Sequence, residues 1–172
     1  MTQRGAYRCK GFVIGNNLQA SSYCFDKNIN IEEALSWAGR AVTGRPFAQT
    51  GFDCFQNLAE GYEKLNRTSQ ADSVMNEGLA IANINQYLNY SKKLITQKRS
   101  DGAIHIMLVA KIKFGDVYSV NNGFSYAYSA NADYKSALVF ANKALAQAIS
   151  PQAKASVAAN IEKLKAGKDI NQ

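Results

Sequence analysis

The chain has 172 residues, enough for one compact domain or one short solenoid with a sizeable core. Hydrophobic residues make up 47% of it and charged residues 19%, a composition typical of globular proteins that argues against disorder. The formal net charge is +7, but the positive residues are scattered, so a solvated basic face is favoured and no nucleic-acid partner is expected.

The sequence also indicates whether the chain has a membrane-spanning helix or an export signal. No apolar run approaches the length of about 18 residues that a membrane-spanning helix needs, so no membrane span is expected. The first residues also lack the apolar stretch of a signal peptide. Two alternatives stay open: the protein remains in the cytoplasm, or the chain is an excised part of a longer exported one. A basic surface for some other anionic partner remains a further alternative.

In chain order, the first element is a poorly patterned segment, residues 1–15. Residues 16–172 are predicted to form one helical repeat domain, in which helices come in pairs and a closing helix follows. The first helices of the pairs are predicted at 16–27, 52–65, 85–98 and 118–130. The second helices are predicted at 31–43, 69–82, 101–113 and 134–148, and the closing helix at 152–166.

Small residues recur along the predicted second helices. The anchors Ala34, Ala71, Ala103 and Ala137 are separated by 37, 32 and 34 residues. This period resembles that of tetratricopeptide repeats, about 34 residues, in which alanine lets neighbouring helices approach closely. The resemblance implies an all-α fold: a right-handed α–α superhelix of about four degenerate helical hairpins plus a C-terminal capping helix.

Turn residues fit these helix boundaries. Asn66 suits a turn with a left-handed backbone, and Gly167 suits the end of the closing helix. Side chains that can cap the following helices are Asn30, Thr68 or Ser69, Asp133 and Ser150.

Four stretches carry a closer resemblance: 28–37, 71–79, 133–138 and, most specifically, the Lys-Ala-Gly-Lys-Asp-Ile-Asn ending of 161–171. They are similar to the C-terminal repeat region of a family of exported bacterial proteins with an uncharacterised N-terminal domain. That resemblance implies a periplasmic or secreted location if this chain is part of such a protein. It implies no activity.

The residues needed for catalysis or metal binding are sparse. His105 is the only histidine, and a surface position is expected for it. Glu60 and Glu63 could form a carboxylate pair, but nothing resembling a nucleophile motif accompanies them, so a solvated face is favoured. The three cysteines form no zinc motif. Buried thiols are expected, with a Cys9–Cys24 bridge as the alternative. The sequence therefore predicts no enzyme, no metal and no cofactor.

One face of each first helix is predicted to line a concave groove. By helical register its candidate binding residues are Gln19, Tyr23, Gln56, Glu60, Glu63, Asn85, Lys92, Asn122 and Tyr126. This polar, amide-rich set suits hydrogen bonding to an extended peptide backbone. Aromatic residues cluster around the fourth hairpin: Phe114, Tyr118, Phe124, Tyr126, Tyr128 and Tyr134. Of these, Tyr126 is expected to be exposed in the groove. The predicted function is a non-catalytic scaffold that binds a protein or peptide.

Two other interpretations remain open. A solvent-exposed face must be polar in any case, so these nine residues need not form a site. The region could also brace a neighbouring domain of a longer polypeptide and bind no ligand of its own. An exposed apolar or aromatic strip along the groove favours the scaffold. A flat hydrophobic patch near residues 1–30 favours the brace.

Overall fold

The computed structural model describes residues 17–43 and 51–172. The poorly patterned segment 1–15 and Cys9 lie outside the described residues. Within these two ranges all regular secondary structure is helical, which confirms the all-α prediction for this part of the chain. The helices are α1 Asn17–Lys27, α2 Ile31–Thr43, α3 Phe52–Lys64, α4 Thr68–Ile81, α5 Ile84–Thr96, α6 Ser100–Phe114, α7 Tyr118–Ala130, α8 Tyr134–Gln147 and α9 Pro151–Lys165. Every predicted helix is present, and each end agrees with its prediction to within two residues.

The chain forms two compact units, which divide between Ala82 and Asn83. In the first unit α1 packs against α2 and α3, α2 against α3, and α3 against α4. Its core cluster consists of Cys24, Phe25, Ala34, Ala38 and Leu58. The buried Asn57 of α3 also ties α3 to α1, because its Nδ2 donates to Ser21 Oγ at 2.8 Å.

The second unit follows a similar order of contacts. The helix α5 packs against α6 and α7, α6 against α7, α7 against α8, and α8 against α9. Its core cluster is formed by Ala137, Ala141, Ala144, Val157, Ile161, Leu164 and Ile170. No helix in the described part of the chain is long and apolar enough to cross a membrane.

The four alanine anchors lie where helices contact one another. Ala34, Ala71, Ala103 and Ala137 are all buried, with at most 1% of their surface exposed. Each belongs to a helix that packs against the preceding helix, and α2, α6 and α8 also pack against the following one. Their small side chains allow the close approach that the sequence pattern predicts.

The same turn ends five of the helices: α1, α3, α5, α7 and α9. In the turn after α3, Asn66 has a φ of +57°, and the Arg67 N–H donates to the Tyr62 carbonyl at 2.9 Å. This six-to-one bond and left-handed residue are the marks of a Schellman motif. The left-handed residues at the five positions are Asn28, Asn66, Lys98, Ala132 and Gly167. The predictions for Asn66 and Gly167 are therefore confirmed.

The helix caps are mixed in outcome. Asp133 accepts a bond from the Ser136 N–H at 3.0 Å, and Ser150 accepts one from the Ala153 N–H at 3.1 Å, both as predicted. The predicted cap at Thr68 or Ser69 is wrong. The N-cap of α4 is Arg67, which makes no side-chain capping bond. There the turn positions the helix start without help from a capping side chain.

Candidate functional site

An open cleft of about 440 Å³ lies on the second unit between α5 and α7. Three of the predicted groove residues line it: Lys92 from α5, and Asn122 and Tyr126 from α7. Its other lining residues are Leu88, Asn89, Ser91, Ile95, Gly123, Ile170 and Asn171. Sequence register therefore brings these three predicted residues to one place.

The remaining six predicted residues do not line this cleft. Asn85 is exposed in the first turn of α5. The other five belong to the first unit, where Gln19 and Tyr23 are exposed on α1, and Gln56, Glu60 and Glu63 are half-buried on α3.

Small residues let the helices around the cleft come close. Gly123 is buried on α7, and a Cβ at this position would lie 2.5 Å from Met107 Cε and 2.8 Å from Leu88 Cδ2. Ser91 of α5 is also buried. A larger side chain at Gly123 would displace the ends of the Met107 and Leu88 side chains.

The cleft combines apolar walls with a few polar groups. Leu88 and Ile95 supply aliphatic surface, and the Lys92 side chain is exposed at the edge. Among the described residues, Asn122 Oδ1 is buried and accepts no hydrogen bond. The Tyr126 hydroxyl accepts a bond from Asn160 Nδ2 of α9 at 3.0 Å, so its ring is held in one position. Tyr126 is half-buried, less exposed than the sequence suggests.

The last residues, 168–172, form a non-helical segment with a turn at residues 170 and 171, which we call the tail. The turn at Gly167 directs the tail back onto α7. Ile170 is 5% exposed and belongs to the core cluster of the second unit. Its N–H donates to Ser129 Oγ at 3.0 Å. The Asn171 side chain donates from Nδ2 to the Tyr126 carbonyl at 3.1 Å, so the tail forms one wall of the cleft.

Asp169 is the centre of the tail's polar contacts. Its Oδ1 accepts bonds from Ser129 Oγ at 2.7 Å, from the Asn171 N–H at 3.1 Å and from Asn171 Nδ2 at 2.6 Å. Burial disfavours the charged carboxylate, but these hydrogen bonds and the charge of Lys98 together outweigh burial and lower the pKa of Asp169. The carboxylate is therefore ionised at neutral pH and remains an acceptor.

Sequence analysis missed the tail and Ser129. Their contacts join residues about 40 positions apart, and no local pattern reports such contacts. The one available indication was an isoleucine flanked by Asp169 and Asn171 just after the helix-ending Gly167. An apolar residue just after a helix-ending glycine commonly packs back against the preceding helix.

Groups suited to catalysis or metal binding lie apart from the cleft. His105 is exposed on α6. In residues 17–43 and 51–172 no three His, Cys, Asp or Glu side chains are close enough to hold a metal ion. Cys24 and Cys54 are buried, and burial raises the pKa of the Cys54 thiol. The alternative Cys9–Cys24 bridge stays a prediction, since Cys9 is not described.

Comparisons with known proteins do not assign the chain to a family. No family model matches it, and no match was found among curated proteins or among solved structures. The resemblances to tetratricopeptide repeats and to the exported bacterial family therefore stay predictions.

Proposed function

We propose that this protein is a non-catalytic scaffold that binds an extended segment of a partner protein in the cleft between α5 and α7. The observation that carries the proposal is that Lys92, Asn122 and Tyr126 line one cleft with apolar walls. The exposed side chains of Asn89 and Lys92 can hydrogen-bond to the backbone of a bound peptide.

The size and chemistry of the cleft support peptide binding. Its volume of about 440 Å³ falls in the range of 300–1,000 Å³ that is typical of ligand sites. Leu88, Ile95 and the Tyr126 ring can contact apolar side chains, and Lys92 can pair with an acidic one. The lining contains no carboxylate, histidine or cysteine to activate its Ser91, Lys92 or Tyr126, which favours binding over catalysis.

The proposed architecture is a tetratricopeptide-like stack, a right-handed superhelix of helical hairpins. Two features support it: the near-regular spacing of buried alanines and the same Schellman turn after every odd-numbered helix. In such a stack the odd-numbered helices line the concave face, where Lys92, Asn122 and Tyr126 are expected.

The test is a selection of random dodecapeptides on phage against the full chain. Affinities of the enriched peptides are then measured by fluorescence polarisation. We expect Tyr126→Ala to weaken binding at least tenfold, because truncating a central aromatic anchor removes about 2 kcal/mol or more. Tyr126→Phe keeps the ring and is expected to retain most of the affinity. Ile112→Ala changes an exposed apolar residue of α6 outside the cleft and serves as the control.

Two outcomes would contradict the proposal. One is that no peptide is enriched. The other is that the enriched peptides bind Tyr126→Ala as tightly as the unmodified chain.

A second candidate function is the structural brace. In the first unit Tyr23 and Ile29 are 55% and 37% exposed, and such apolar surface suits contact with a neighbouring domain of a longer polypeptide. A brace has no ligand of its own. The same phage selection separates the two functions, because the brace predicts that no peptide binds the cleft.

A further inference from the structure

The tail shows how the second unit accommodates a non-helical segment. Residues 168–172 do not continue as a helix after the Schellman turn at Gly167. They lie along α7 and help to wall the cleft, next to Lys92 and Ile95 of α5. A non-helical peptide segment therefore already lies beside the proposed binding site.

Three successive tail residues each meet a different chemical feature. The Asp169 carboxylate accepts from the Ser129 hydroxyl, and the Ile170 side chain is buried in the apolar cluster that includes Val157 and Ile161. The Asn171 amide donates to the Tyr126 carbonyl. Together these contacts specify an acid, an aliphatic side chain and a primary amide in that order.

The backbone of the seated segment is also recognised. The Ser129 hydroxyl donates to Asp169 and at the same time accepts from the Ile170 N–H. One side chain of α7 therefore contacts both a side chain and the main chain of the tail. Ser129 is 1% exposed, and its position is fixed within α7. The contact needs a backbone N–H that is not used within a helix, as at Ile170, where the chain forms a turn.

We propose that this seat, formed by Ser129, the Tyr126 carbonyl and the apolar cluster around Val157 and Ile161, recognises partner segments of the form Asp–aliphatic–Asn, and that the tail is a tethered ligand of the same chemistry. The inference rests on the proposed function, which it deepens by naming the partner segment. A partner binds by displacing the tail from the seat. Gly167, with a φ of +66°, is the pivot of that exchange, because glycine has no Cβ and can change its backbone angles at little cost.

Tethering determines the size of the expected effect. A covalently attached segment competes at an effective concentration in the millimolar range. A separate peptide of the same sequence should therefore bind much more weakly to the intact chain than to a chain without its tail.

The probe is the pentapeptide Lys-Asp-Ile-Asn-Gln, blocked at both ends so that terminal charges do not contribute. It is titrated into the chain lacking residues 168–172, and binding is followed through the backbone amide NMR signals of Ser129 and Tyr126. We expect both signals to move towards their positions in the intact chain. Affinity for the intact chain should be at least tenfold lower. The control probe Lys-Asp-Asp-Asn-Gln should not bind, because the seat would bury its second carboxylate.

A second variant guards against misfolding of the shortened chain. The full-length Ile170→Ser chain keeps the tail backbone but loses its apolar anchor, and the pentapeptide should bind it more tightly than it binds the unmodified chain. The proposal is overturned if the pentapeptide binds neither variant, if both probes bind equally, or if the moving signals lie away from the seat. Phage-selected peptides that still depend on Tyr126 would then leave the proposed function standing, whereas failure of both experiments would remove both.

Discussion

Ala132 has a backbone conformation that alanine rarely adopts. Its φ is +58°, in the left-handed region where Cβ crowds the following carbonyl oxygen. The equivalent turns place Asn66 and Gly167 at this position, two residue types that tolerate it well. The turn after α7 is therefore maintained by its hydrogen bonds and by packing, against the preference of the residue itself.

Replacing Ala132 by glycine should stabilise the protein. We expect the free energy of unfolding to rise by about 1 kcal/mol, because the left-handed penalty of about 1–2 kcal/mol disappears and greater freedom of the unfolded chain offsets part of the gain. Denaturant unfolding followed by circular dichroism measures the change. The matched control is Ala158→Gly in the exposed middle of α9, which should lower stability by about 0.5–1 kcal/mol. A loss of stability in both variants would contradict the argument.

Sequence reasoning works at single residues where the residue type itself favours the conformation. Asn66 and Gly167 were predictable because asparagine and glycine tolerate positive φ. Lys98 and Ala132 occupy the equivalent position of two other Schellman turns, with φ of +61° and +58°. Neither residue type indicates a left-handed backbone. Their conformation follows from the repeated helix ends around them, which the sequence reports only through the spacing of the repeat.

At the scale of elements, Gly78 shows how closely α3 and α4 pack. A Cβ at this buried position would lie 2.6 Å from Phe55 Cβ, an atom fixed directly to the α3 backbone. Rotation of the Phe55 side chain cannot relieve that contact. The two helices would have to separate.

Gly78→Ala should therefore destabilise the protein although alanine favours helices. We expect a net loss of about 1–3 kcal/mol from overpacking, after the gain in helix propensity of about 1 kcal/mol. Gly39→Ala is the opposite case, since no atom lies within 4 Å of the added Cβ in the middle of α2. That variant should gain about 0.5–1 kcal/mol. Thermal unfolding of both variants measures the difference, and a stabilised Gly78→Ala would show that the contact between α3 and α4 is looser than described.

Helices and cleft were predictable to different degrees. Helix boundaries follow from local periodicity and turn residues, so all nine described helices match their predicted ranges closely. Lys92, Asn122 and Tyr126 share the cleft because helical register places them on corresponding faces of α5 and α7. The tail could not be found in this way, since the Ile170 N–H reaches a hydroxyl 41 residues earlier in the chain.

At the scale of the whole molecule, the proposed binding function belongs to one unit. Every residue that lines the cleft lies in the second unit, Asn83–Gln172. The same holds for the seat of the tail and for the core cluster of Ala137, Ala141, Ala144, Val157, Ile161, Leu164 and Ile170. The first unit has a core cluster of its own around Phe25.

The second unit should consequently fold and bind without the first. A fragment of residues 83–172 has 90 residues, above the size of about 60 at which single domains become marginal. We expect cooperative thermal unfolding by circular dichroism, and affinities for phage-selected peptides within about threefold of the full chain, since no cleft residue is removed. The complementary fragment 1–82 should not bind these peptides. A fragment 83–172 that folds but loses more than tenfold in affinity would place part of the binding surface in the first unit, on residues such as Gln19, Gln56 or Glu60, and would make the ligand longer than the cleft between α5 and α7.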